Sequence, residues 1–302
     1  MYLEVPEIRV GEPTVYGGVT VFPLVTGLPL FPGGGGTFDY VLAHEAMAAG
    51  TVEVREVSEE GSVGSLLVNN GGDRAVLFLE GEELTGAKQN RVLCSSVLIA
   101  GKTQTRIPVC CVQRGKWAYS TRQFTTGSCC PPTLRFLLKQ RTQGRRYGSQ
   151  EAVWREIRRK HQATRTHSEK ENMSDTLETH RETVEDVRGR LRYPEGASGI
   201  AVVIGGKLVL VDVFDRSVTA KLWDRMVQGL VLDVLEVRET GLQPEASDIA
   251  VRLYRVRDMR WRRVESVVGM GEVFHARDDD GTLASALMVD GSLIHLSVSA
   301  PI

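Results

Sequence analysis

Residues 78–93, FLEGEELTGAKQNRVL, bring Glu82, Glu83, Lys88, Gln89, Asn90 and Arg91 together between and just beyond Gly81 and Gly86. Two carboxylates beside a lysine can divide acid and base duties when burial or pairing separates their pKa values. Amide side chains orient polar ligand atoms, and an arginine holds a carboxylate or phosphate through two parallel hydrogen bonds. Glu83 is therefore the acid/base candidate, with Lys88 as its catalytic partner. Glu82, Gln89, Asn90 and Arg91 are candidate ligand-binding groups. The competing expectation is a buried hairpin corner in which Glu83 pairs with Lys88 or Arg91.

The other stretches with chemical potential read more plainly. LFPGGGGTFDY (30–40) sets four glycines before an expected helix, but it lacks the lysine and the spacing of a phosphate-binding loop. DDDG (278–281) lacks the alternating acids and twelfth-position glutamate of a calcium loop and reads as a solvated turn. Cys111 alternates with Ile107 and Val109, as a small buried hydrophobe does, although a base that lowered its pKa would make it a nucleophile. His275 and His295 lie on β segments with no identifiable partner. WREIRRKHQATR (154–165), with Arg145 and Arg146 before it, is basic without interleaved aromatics. It reads as a solvated face or a patch answered by the acidic helix that follows, so nucleic acid is disfavoured.

These residues need elements to hold them. The first 120 residues are mostly strands punctuated by glycine. TVYGGVTVF (14–22) and TVEVREV (51–57) alternate, SLLV and AVLFLE flank the turn signal NNGGDR, and RVLCSSVLI and QTRIPVCCV flank AGKT. Pro108 marks an edge or a bulge. A helix is expected over 38–49, capped by Thr37 and stopped by Gly50. Between 133 and 193 the period turns helical. Val153, Trp154, Ile157 and His161 form one stripe, and Leu177, Val184, Val187 and Leu191 form another, with Ser149 and Ser174 as N-caps. RTQGRRYGS and RTHSEKENM read as mobile linkers. In the last third, Gly205-Gly206 and Asp290-Gly291 turn two hairpins, and a buried helix is expected at 219–235.

The expected class is α+β: a β-rich N-terminal sandwich or barrel-like domain (1–125), a helical middle segment (126–195) and a C-terminal α+β layer packed on the first domain (196–302). A chain of 302 residues, 42% apolar and 25% charged, is long and apolar enough for a sizeable core. A net charge of −1 gives no whole-chain argument for nucleic acid or membrane. No run approaches the roughly 18 apolar residues of a membrane span, and the start lacks a signal-peptide pattern. Five cysteines, four of them in the vicinal pairs Cys110-Cys111 and Cys129-Cys130, fit neither a disulfide framework nor a zinc ribbon. No metal site is expected, no particular cofactor is implied, and the cytoplasm is the natural compartment.

VREVSEEGSV (54–63), GEELTGAKQNRVL (81–93), IPVCCVQRGKW (107–117), MSD (173–175) and GASGIAVVIGGKLVLVDVFD (196–215) resemble one largely bacterial family of unknown function. It is the ADP-ribosylglycohydrolase- and rhodanese/phosphatase-associated protein domain family. The resemblance spans roughly residues 38 to 300 and implies an association with ADP-ribose or phosphate-group metabolism, in regulatory or conflict systems. Gln113 stands where that motif carries glutamate and Lys116 where it carries arginine, which bears on any mechanism needing a carboxylate at 113. Asp212 and Asp215 match the pattern and are further ligand-binding candidates, expected to converge with Glu83. The leading expectation is a pocket that binds, or also hydrolyses or transfers, a phosphorylated nucleotide or ADP-ribose-type molecule. The alternative is a non-catalytic interaction or self-assembly module, homo-oligomeric in the second case.

Overall fold

Alternating strands from both ends of the chain meet in one sheet. The computed structural model describes residues 5–27, 38–115, 119–144, 149–237, 244–265 and 267–301. The four-glycine run with its Thr37 cap, Lys116, Arg145 and Arg146 lie outside these residues. Strands β1 (Ile8–Val10), β2 (Thr14–Tyr16) and β3 (Val19–Thr26) open the chain. β2 and β3 form the hairpin that TVYGGVTVF announces, turning at Gly17, whose φ of 57° suits glycine.

The chain then enters a second unit, Asp39–Arg181 with Val268–Met270. Its elements are β4 (Tyr40–Leu42), α1 (Ala43–Ala48), β5 (Val52–Glu56), β6 (Ser65–Asn70), β7 (Ala75–Phe78), β8 (Glu82–Gly86), β9 (Arg91–Leu93), β10 (Val97–Ile99), β11 (Thr103–Cys111) and β12 (Phe124–Cys129). Helices α2 (Pro132–Thr142), α3 (Gln150–Thr164) and α4 (Ser174–Thr179) follow. A three-stranded sheet, β10-β7-β4, and a six-stranded sheet, β12-β8-β9-β11-β6-β5, share one core. Val76, Phe78, Val97 and Ile99 from the first meet Val54, Leu66, Val68, Leu84, Ile107 and Val109 from the second. The larger sheet curls as a half-barrel.

Several local expectations change here. Only half of the stretch 38–49 is helix: Tyr40–Leu42 pairs in parallel with Ala75–Leu77, and helix begins only at Ala43. NNGGDR does not close a hairpin, because β6 and β7 belong to different sheets. AGKT likewise leads from β10 in one sheet to β11 in the other, where β11 pairs with β9 and β6. Pro108 sits where β11 passes from β6 to β9, so its missing N–H falls at the change of partner. Ser149 caps α3 by accepting from the Ala152 amide at 3.2 Å, as expected. Ser174 does not cap α4; Met173 precedes it and the serine is the first helical residue. The helical stretch 174–191 breaks at His180, whose ring bonds the Thr164 carbonyl at 3.0 Å.

The remaining elements return to the first unit, Met1–Phe38 with Glu182–Val267 and Gly271–Ile302. They are α5 (Arg181–Arg190), β13 (Gly199–Ile204), β14 (Lys207–Val213), α6 (Arg216–Val234), α7 (Ala246–Arg257), β15 (Arg262–Arg263), β16 (Glu272–Arg277), β17 (Leu283–Val289) and β18 (Ser292–Ser299). The nine-stranded sheet runs β1-β3-β13-β14-β18-β17-β16-β15, with β2 on β3. Both glycine-turned hairpins, β13–β14 and β17–β18, form as expected. Helix α6 buries Leu222, Trp223, Met226, Leu230 and Val234 and packs on β13, and α7 packs on β1. No helix among the described residues is long and apolar enough to cross a membrane.

Candidate functional site

FLEGEELTGAKQNRVL folds as the β8–β9 hairpin, with Glu83 opposite Val92 and Leu84 opposite Arg91. Two special backbone positions make the reversal. Gly86 has φ 120° and lies so close to the Gln123 carbonyl that a Cβ there would sit 2.8 Å from it; Ala87 follows at φ 43°. Leu84 enters the core, and strand alternation turns Glu83 to the other face.

There Glu83, 1% exposed, accepts from the Ser174 hydroxyl at 2.6 Å and the Asn90 amide at 3.3 Å. Its second carboxylate oxygen lies over Gly127, where a Cβ would come within 2.8 Å. Asn90 also donates to Asn172 Oδ1 at 3.1 Å, receives the Gly86 amide at 3.1 Å, and has its own N–H on Gln113 Oε1 at 3.2 Å. Asn172 donates to Asp175 at 2.8 Å, and Ser168 donates to the same carboxylate at 2.6 Å. His161 Nε2 donates to the Asn172 carbonyl at 3.0 Å, which sets the tautomer. Burial holds the His161 pKa below its ordinary value, with that carbonyl acting in the opposite sense. RTHSEKENM is therefore a loop tied down by its own side chains, with Glu171 held by Arg158 at 3.0 Å. That bond keeps the Glu171 carboxyl below the usual range.

The other motif residues face different partners. Glu82 Oε2 accepts from the Leu79 amide at 3.3 Å, closing the turn before β8. Lys88 donates to the Glu59 carbonyl and stands 5.0 Å from the centre of the Tyr119 ring. Arg91, fully buried, donates to the Gln89 carbonyl at 3.0 Å and Gln89 Oε1 at 3.1 Å and faces Glu56 at 3.8 Å. Gln89 Oε1 also receives the Cys111 thiol at 3.0 Å. Burial pushes that thiol up to about 11, the behaviour of an inert hydrophobe.

Asp212 and Asp215 lie in the unit of the nine-stranded sheet and have partners there. Asp212, fully buried, bonds His295 Nε2 at 3.0 Å, and the imidazole stacks on Phe214 at 4.3 Å. Asp215 caps α6, accepting from the Ser217 amide at 2.9 Å and hydroxyl at 2.7 Å. The partner that the sequence did not reveal for His295 is thus Asp212. Within the basic stretch 154–165, Arg158 pairs with Glu171, and Arg159 and Lys160 pair with Glu156. Among the described residues no group of acids, histidines and cysteines is arranged to hold a metal.

Neither the search of curated proteins nor that of solved structures gives a match. A family model does, over residues 7–299. Two of the stretches that suggested it, GEELTGAKQNR and MSD, meet at the Glu83–Ser174 hydrogen bond. The chain belongs to the family of ARG and Rhodanese-Phosphatase-superfamily-associated Protein domains.

Proposed function

We propose that this chain is a non-catalytic interaction module, with the β8–β9 hairpin as the polar keystone that fixes the 168–175 loop. One observation carries this reading. Glu82, Glu83, Lys88, Gln89 and Arg91 are all buried, and each is engaged by groups of its own chain. Charged groups so held fix geometry, and removing one partner leaves the other buried without compensation. Five free, buried cysteines support a reducing compartment, the cytoplasm.

A second reading has one observation in its favour. Asn90, Asn172, Ser174 and Asp175 are only half-buried around the Glu83 carboxylate. A phosphorylated nucleotide or ADP-ribose-type ligand placed on that rim would meet preset donors and acceptors, with Glu83 as acid or base. Glu83→Gln separates the two. The keystone reading expects a loss of about 1–3 kcal/mol of stability, seen as a lower melting temperature, and no melting shift of the intact chain with ADP-ribose, NAD or nucleotides. A ligand-induced rise that Glu83→Gln abolishes at unchanged intrinsic stability would establish the second reading and remove the first.

A further inference from the structure

Residues 252–263, RLYRVRDMRWRR, carry six arginines against one aspartate in a chain of net charge −1. Ile249, Leu253 and Val256 form the buried stripe of α7, and that stripe turns Arg252 and Arg255 outward, one helical turn apart. Arg263 is paired with Glu272 at 2.9 Å, and Arg257 lies against the exposed Tyr254 ring at 5.9 Å. Arg252 and Arg255 have neither an ion pair nor a hydrogen-bond partner among the described residues. Instead they line a cleft. Its lining also includes the apolar Leu210 and Val298 from the sheet, and Asp278, Asp280 and Thr282 from the loop between β16 and β17.

From this arrangement we propose that the cleft beside α7 binds a small sugar phosphate. Two unpaired guanidiniums at i and i+3 suit a phosphoryl group, which accepts several charge-assisted hydrogen bonds at once. In the same lining, Asp278, Asp280 and Thr282 suit sugar hydroxyls, and the apolar residues suit the carbon face of the ring. The cleft holds about 550 Å³ of empty space, its open mouth included, within the range of small-molecule sites. The site lies wholly in the unit of the nine-stranded sheet and is independent of the Glu83 reading.

Calorimetric titration of the full chain with ribose 5-phosphate, with ribose as the uncharged control, tests the proposal. Saturable binding of the phosphate and not of ribose is expected. Arg252→Gln and Arg255→Gln should each weaken it by about tenfold or more at unchanged melting temperature, since both side chains are exposed. Absence of saturable binding to the intact chain would overturn the proposal, as would binding that both variants retain or equal binding of ribose. So would tighter binding of a single-stranded DNA of about 20 nucleotides, lost on neutralising Arg257, Arg260 and Arg262 and kept when Arg252 and Arg255 are changed. That outcome would assign the arginine run to nucleic acid.

Discussion

His161 shows how one buried side chain ties the hairpin's polar cluster to solution conditions. It holds the Asn172 carbonyl, Asn172 holds Asn90 and Asp175, and Asn90 holds Glu83. In the folded chain burial keeps the imidazole neutral to a lower pH than in the unfolded chain. As pH falls past the unfolded value of about 6.5, the unfolded chain takes up the proton first, so its population rises. The stabilisation is fully present above that pH and is lost progressively as pH falls through the lower folded value. Urea unfolding at about pH 7.5 and about pH 5.5 should show a larger loss for the intact chain than for His161→Gln, which keeps a donor for the carbonyl but cannot titrate. Equal losses in the two chains would show that His161 is not the group responsible.

At the scale of elements, Asp215 has a structural part that its sequence pattern did not announce. From the pattern VDVFD it stands as a ligand-binding candidate, whereas the structure sets it at the start of α6 with its carboxylate on the Ser217 amide. Asp215→Ala should cost about 0.5–2 kcal/mol and Asp215→Asn much less, measurable as denaturant midpoints; equal midpoints for the two variants would deny the cap. Elements defined by local signals were legible: the stripe of α6, the cap of α3, and the hairpins turned by Gly205-Gly206 and Asp290-Gly291. Pairing partners were not. NNGGDR says where the chain reverses but not which sheet receives the next strand, and β6 and β7 are both apolar enough to join either. The helix expected over 38–49 failed at Tyr40–Leu42 for the same reason, since a parallel partner thirty-five residues on is invisible to a local period. The Glu83 cluster was half legible. The carboxylate and its hairpin stood out, but Ser174 looked like a helix cap, and nothing local linked Ser168, Asn172 and Asp175 to a strand eighty residues earlier. Helix α7 and its arginines were not read from the sequence, although Ile249, Leu253 and Val256 carry the period that marks a helix.

For the whole molecule, the chain's path matters more than its length. Residues 39–181 leave the nine-stranded sheet after β3 and return to it before β13, and each unit builds its own core. One core gathers Phe22, Val203, Ile249 and Leu296; the other gathers Val54, Leu66, Phe78 and Ile107, and the two have no residue in common. Truncations without shared neighbours act independently, whereas those joined by packing couple. Ile249→Val and Ile107→Val each remove one methylene from a fully buried position and should each cost about 0.5–1.5 kcal/mol. In the double variant the costs should add to within about 0.5 kcal/mol in urea unfolding followed by circular dichroism. A coupling of about 1 kcal/mol or more would mean that each core feels the other's packing. The two units would then have to be treated as one folding body, and a ligand in the cleft beside α7 would be expected to stabilise the Glu83 hairpin as well.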